Sequence, residues 1–278
     1  SRLPSAAAAI DPWGRRRLVR TLAVVAVVAA LMLVGLSYAV YSAIASTRST
    51  AAAASPGQEI RSAEQLPSGT ARRDAIAAAP MLAVPPEASR SGKPAARVGP
   101  AITILPAGRV GPAGVPTGFP QSPEGAVGQL AAIETTVLQS MSIDRAHQVH
   151  AAWSDPGGVT AESWELTANI QAFLASSAGQ YAGDLRAAVV TTPIAAQVKG
   201  TDGSDWVLAC VLLDVKAQIA TQARIAYGHC ERMQWTTRDG GRWVIGAGPA
   251  PARAPSTWPG TDLAIEAGWK TVTAPADQ

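Results

Sequence analysis

Across residues 21–47 no charged side chain interrupts a run dominated by Ala, Val, Leu and Ile. As a helix rising about 1.5 Å per residue the run reaches about 40 Å, against a bilayer core of about 30 Å, so the pattern predicts one transmembrane helix. Arg15, Arg16, Arg17 and Arg20 precede it and only Arg48 follows closely. The positive-inside bias then makes residues 1–20 a cytoplasmic tail and places everything after residue 47 outside, as in a single-pass cell-membrane protein with an extracellular C-terminal domain. Tyr38 and Tyr41 fall near the outer end, where amphipathic rings favour the headgroup layer. A cleaved signal peptide ending at Ala43-Ile44-Ala45, or a twin-arginine export signal, would call for a shorter or less apolar run.

The periodicity then vanishes. Residues 46–120 hold eleven of the chain's 21 prolines, no Trp or Tyr, and Phe119 as the only aromatic. So little bulk promises too little buried surface to offset ordering, and residues 48–120 read as a disordered Pro/Gly/Ala-rich linker. As a coil it would hold a domain about 45–50 Å from the membrane. Within it Arg97-Val98-Gly99-Pro100 recurs as Arg109-Val110-Gly111-Pro112 around an apolar Ile102-Thr103-Ile104-Leu105, either a chance echo or a docking segment.

Regular patterns return in residues 121–278, the expected folded domain. Ser122 and Pro123 suit a helix start, and Ala126, Leu130, Ile133, Val137 and Met141 form one stripe. A second helix follows from Ser142, burying Ile143, Ala146, Val149 and Trp153; a third runs from Thr160 to Gly179 through Trp164, Ile170 and Leu174. Four Val- and Thr-rich runs come next, at 186–198, 206–216, 225–237 and 242–246, the last two joined by Arg238-Asp239-Gly240-Gly241. A short final element over 262–272 carries Trp269. Helices followed by antiparallel strands make an α+β domain, three helices on a curved sheet.

Cys210 and Cys230 are the only cysteines. If 206–216 and 225–237 pair about a turn near Ala220, opposing residue numbers sum to 440. Cys210 then faces Cys230, with Leu213 opposite Tyr227, Val215 opposite Ile225 and Val207 opposite Met233 on the other, buried face. Outside the cytoplasm such a pair is expected to oxidise.

Charge is segregated: +4 in residues 1–20, +4 in 46–120 and −5 in 121–278. The basic pI of 9.1 thus belongs to the flank and linker, and direct nucleic-acid binding by the folded domain is not expected. Candidate chemistry is sparse. His147 and His150 with Asp144 share a helix side but lack the further ligands of a zinc site, so no metal or cofactor is expected and they read as solvated surface. His229, Glu231 and Asp214, with Trp235, make a candidate pocket for acid–base work, against which stands their reading as surface or rim residues. Seven Trp follow residue 47, from Trp153 to Trp269; core packing is favoured over a sugar or peptide platform. No nucleophile elbow or phosphate loop is present.

The order of tail, membrane helix, linker, helices and sheet resembles the VirB8-like assembly factors of type IV secretion and conjugation systems, whose extracytoplasmic domain is NTF2-like. Gly114-Val115-Pro116-Thr117-Gly118-Phe119-Pro120 with Ser122-Pro123-Glu124-Gly125-Ala126, and Pro255-Ser256-Thr257-Trp258-Pro259-Gly260, are similar to segments of actinobacterial proteins of integrative conjugative elements. Nineteen Arg against four Lys agrees with a GC-rich genome. The resemblance implies a cone-shaped domain and a non-enzymatic scaffold that self-associates and contacts other channel components, with no small-molecule substrate. The contrasting expectation is an envelope ligand-binding module or small enzyme using the cone's pocket.

Overall fold

The computed structural model describes residues 56–176, 188–218 and 222–275. The expected tail (1–20) and membrane helix (21–47), with Arg15, Arg16, Arg17, Arg20, Tyr38 and Tyr41, lie outside the described residues. Among the described residues no helix is long and apolar enough to cross a membrane.

Three helices follow one another where the stripes predict them. Helix α3 (Pro123–Ser140) starts because the Ser122 hydroxyl accepts a hydrogen bond from Gly125 N at 3.1 Å and Pro123 needs no amide partner. It ends at Met141, in the left-handed region at φ 44°. Helix α4 (Ile143–Trp153) is capped by Ser142 in the same way. The third, α5 (Glu165–Ala175), begins later than the pattern suggests, because Thr160 and Ser163 close a separate turn ahead of Trp164.

Among the described residues six strands join in one sheet, in the order β1 (Ala101–Thr103), β8 (Lys270–Thr273), β4 (Ala188–Thr201), β5 (Trp206–Gln218), β6 (Gln222–Thr236), β7 (Arg242–Ile245). Strands β4 to β7 are antiparallel neighbours, whereas β1 runs parallel to β8. Irregularities at Pro193/Ala195 and Val198/Gly200 bulge β4 and bend it. The β6–β7 connection is the expected tight turn. Asp239, Gly240 and Gly241 all take positive φ there, and a Cβ on Gly241 would lie 2.6 Å from the Trp235 ring.

The predicted β5–β6 register is the observed one: Cys210 pairs with Cys230, Leu213 with Tyr227, Val215 with Ile225 and Val207 with Met233. Cys210 and Cys230 form the disulfide across it, with Cα atoms 4.0 Å apart. Thiol titration of denatured, unreduced full-length protein is expected to find no reactive thiol, and reduction to cost about 3 kcal/mol of stability for a loop of this size. Two titratable thiols would contradict the bridge.

One expectation about β5 needs correcting. Only one face was expected to be buried, yet every residue from Trp206 to Leu213 is 1% exposed or less. Val207, Ala209, Val211 and Leu213 pack beneath the helices, while Leu208, Cys210 and Leu212 point to the opposite face and are covered there as well. A near-continuous apolar run is what a strand buried on both sides requires.

Ala264, Ala267 and Trp269 cover the Cys210 and Leu212 part of that second face, and the rest is covered by the segment expected as linker. Residues 56–120 are not a free coil: α1 (Pro56–Glu64) and α2 (Thr70–Ala78) pack Ala63, Ile76 and Ala77 onto Trp206 and Leu208. Polar clasps fasten this strap. Asp202, 2% exposed, accepts from Arg73 Nε at 2.6 Å and Gly69 N at 3.0 Å. Arg232 reaches Asp74 at 2.8 Å, and Lys199 Nζ donates to the Ala77 and Ala79 carbonyls, where a cation complements the helix C-terminus. Downstream, Met81 Sδ lies 3.6 Å from Cys230 Sγ. The apolar stretch between the echoed tetrapeptides becomes β1, with Ile102 buried, and the second echo enters β2 (Arg109–Val110), paired to β3 (Pro116–Thr117). The final element divides into α6 (Asp262–Glu266) and β8.

Candidate functional site

His229 and Glu231, two apart on β6, share the face that turns toward the helices. From α3, Glu134 meets them. Its position, four residues from both Leu130 and Leu138, lies on the helix's buried stripe, and its carboxyl is fully buried. Glu134 Oε1 sits 2.7 Å from His229 Nδ1, and Glu231 Oε1 3.6 Å from His229 Nε2. Glu231 also accepts a 2.7 Å hydrogen bond from Trp164 Nε1 at the start of α5. The next residue, Glu165, accepts from the Tyr227 hydroxyl at 2.9 Å, and the Tyr227 ring stacks on His229 with centroids 5.9 Å apart. Helices α3 and α5 are thus tied to β6 by a polar cluster inside the apolar core.

Burial and proximity set the protonation of this cluster. Burial pushes Glu134 up to about 7, against the pull of His229, and pushes Glu231 up as well. For His229 burial pulls downward, but the bond to Glu134 and the charges of Glu134, Glu231 and Glu165 outweigh it and raise the imidazole to about 9. Near neutral pH His229 is therefore a cation held between carboxyl groups. Glu134 Oε2 has no hydrogen-bond partner among the described residues.

A group that handles a substrate's protons needs a substrate beside it. The cavity next to Glu231 and Trp164 measures about 10 Å³, room for roughly one water at most. His229 and Glu231 are 5% and 6% exposed. They are not the surface or rim residues of the sequence expectation, because the helices close over them. Nor do they line an open pocket.

The other two candidates are elsewhere. Asp214 lies on the opposite face of the sheet from His229, as strand alternation requires once the register is fixed. There burial pushes its carboxyl up, but Arg224, bound through two contacts of 2.6 and 2.8 Å, and Lys216 at 3.3 Å hold it below the usual range. Trp235 shares the face of His229 but is six residues along β6, about 20 Å away, packed edge-on to Trp243 with centroids 5.5 Å apart. Of the seven Trp, Trp153, Trp164, Trp206, Trp243 and Trp269 are buried, as a core role requires.

Comparison with family models, with curated proteins and with solved structures finds no match. The site therefore stands on its geometry alone. Among the described residues no His, Cys, Asp or Glu group is arranged to hold a metal ion. His150, expected in solvent, instead packs its ring 5.2 Å from that of Trp164, and Asp144 is exposed. Sequence reasoning missed Glu134, Glu165 and Tyr227. A carboxylate on an otherwise apolar helical stripe was the signal for Glu134; nothing local marks the other two.

Proposed function

We propose that this chain is a membrane-anchored, non-enzymatic assembly component of a conjugative, type IV secretion-like apparatus, working through protein contacts of an NTF2-like extracytoplasmic domain. The observation that supports it best is the closed interior. Glu134, His229 and Glu231, the acid–base residues that a ligand module or enzyme would use, pair with one another, and the cavity of about 10 Å³ beside Glu231 admits no substrate; of the cluster, only Glu165 and Tyr227 reach an open groove, of about 740 Å³. What remains available to a partner is the outer surface. Helices laid over a bulged antiparallel sheet support the NTF2-like reading, and the envelope location agrees with the disulfide. Among the described residues the domain already includes α1 at Pro56, within the stretch expected as linker.

Conjugative transfer from cells lacking the chain tests the reading. Transfer is expected to fall on deletion and to recover with a Glu134→Gln/His229→Gln variant whose thermal unfolding shows it folded, because Gln keeps the shape without the acid and base. A folded double variant that leaves transfer abolished would move the function to chemistry in the cluster.

A further inference from the structure

A groove with a volume of about 810 Å³ runs along α3. Its walls change character along their length. Near Gly128 they are Ile104, Phe119, Ala131 and Val272; near Ser140, about 18 Å away along the helix, they include Thr136, Gln139 and Arg145. Arg145 is the one charged residue lining the groove, and it has no carboxylate partner among the described residues. Its guanidinium donates one of the fork's five N–H groups, through Nη2, to the neutral Ala113 carbonyl at 2.6 Å, and binds no other acceptor among the described residues. Between the two ends the Thr135 hydroxyl, buried in the wall, lacks a partner among the described residues.

An apolar trough with a cation at one end and no anion along it complements a molecule of the opposite polarity. We infer that the α3 groove binds the acyl chain of an anionic amphiphile, its carboxylate or phosphate on Arg145 and its tail toward Phe119 and Ile104. At about 1.3 Å per carbon, from C–C bonds near 1.5 Å, a twelve-carbon tail reaches about 16 Å, most of the length of the groove. Every methylene taken from water adds to binding, so the tail supplies affinity and Arg145 supplies head-group choice. Free fatty acids and anionic phospholipids share this chemistry. The inference does not depend on the scaffold reading, since the groove lies apart from the His229 cluster.

The test uses the full chain in phosphatidylcholine nanodiscs and three probes with one twelve-carbon, diazirine-tipped tail: the fatty acid, a phosphatidylglycerol bearing it, and the primary amine. Mass spectrometry maps the adducts. Adducts on residues 104–107 and 128–140 are expected with at least one anionic probe, and whichever labels names the source. Labelling by the amine, and of Arg145→Ala by the anionic probe, is expected to be about tenfold weaker. Arg145→Lys should retain most of the label, and Ala132→Phe, which fills the trough, should lose it. Should Arg145→Ala fail to fold, the head-group comparison on the unaltered chain and Ala132→Phe still decide. No groove adduct with either anion, equal labelling by the amine, or labelling unchanged in a folded Ala132→Phe variant would overturn the inference.

Discussion

Replacing Ile76 with alanine is expected to destabilise the protein by about 2–5 kcal/mol, the cost of removing a buried branched side chain that its surroundings cannot refill. Ile76 has no exposed surface, and a Cβ on Gly200 would come within 2.7 Å of its Cγ2, so the contact between α2 and β4 is already as close as backbone allows. The same substitution in a solvated linker would change stability by less than about 0.5 kcal/mol. Chemical denaturation of the two proteins separates these outcomes, and a near-zero difference would show that the strap does not hold the sheet. Arg73 and Arg232 fasten the same strap through ion pairs, but Arg73 and Asp74 are partly exposed, and such pairs are worth less than this apolar contact.

Removing Glu134 is expected to cost about 3–5 kcal/mol, because His229 is then left as a buried cation with only the longer contact to Glu231. Glu134→Leu alone should therefore destabilise strongly, and adding His229→Leu should recover part of the loss, a coupling that a double-mutant cycle reads directly. The intact cluster also predicts a pH dependence. Glu134 titrates at about 7 in the fold against 4.5 when unfolded, and His229 at about 9 against 6.5. Both make the native state hold more protons than the unfolded chain, so their contribution falls as pH rises from about 4.5 to about 9. The imidazole's share is fully present below 6.5 and lost through about 9. Lys199, lowered to about 8 by burial, acts in the opposite sense above that pH. The unfolding midpoint should thus decline between pH 5 and 8, and the decline should flatten in the Glu134→Leu/His229→Leu variant. A midpoint that rises over that window would contradict the assigned protonation.

The sequence revealed those features whose cause is local or periodic. The stripe of Ala126, Leu130, Ile133 and Val137 sufficed for α3, and the numbers of Cys210 and Cys230 sufficed for a register that held along all of β5–β6. The strap stayed hidden for a physical reason. Its helices bury alanine, which contributes little to any apolar pattern, and its prolines sit where ordered chain tolerates them, as at Pro56 opening α1 and Pro86 opening a 3-10 turn. Density of Pro and Ala was read as disorder when the partner surface, the second face of β5, lay more than a hundred residues away. For the cluster, strand alternation marked His229 and Glu231 as neighbours, but only the packing of α3 and α5 shows that they are closed off. Asp214 was grouped with them although the predicted register already put it on the opposite face, beside Cys210 and Cys230 rather than His229.

The proposed function is exercised through surface contacts of a domain in which the His229 cluster is closed off. Crosslinking in native membranes followed by purification of the full chain tests it most directly. Components of a secretion or conjugation channel are expected to be recovered, unchanged in the Glu134→Gln/His229→Gln variant. Recovery of no such component, together with a small molecule bound stoichiometrically at the His229 cluster, would contradict it.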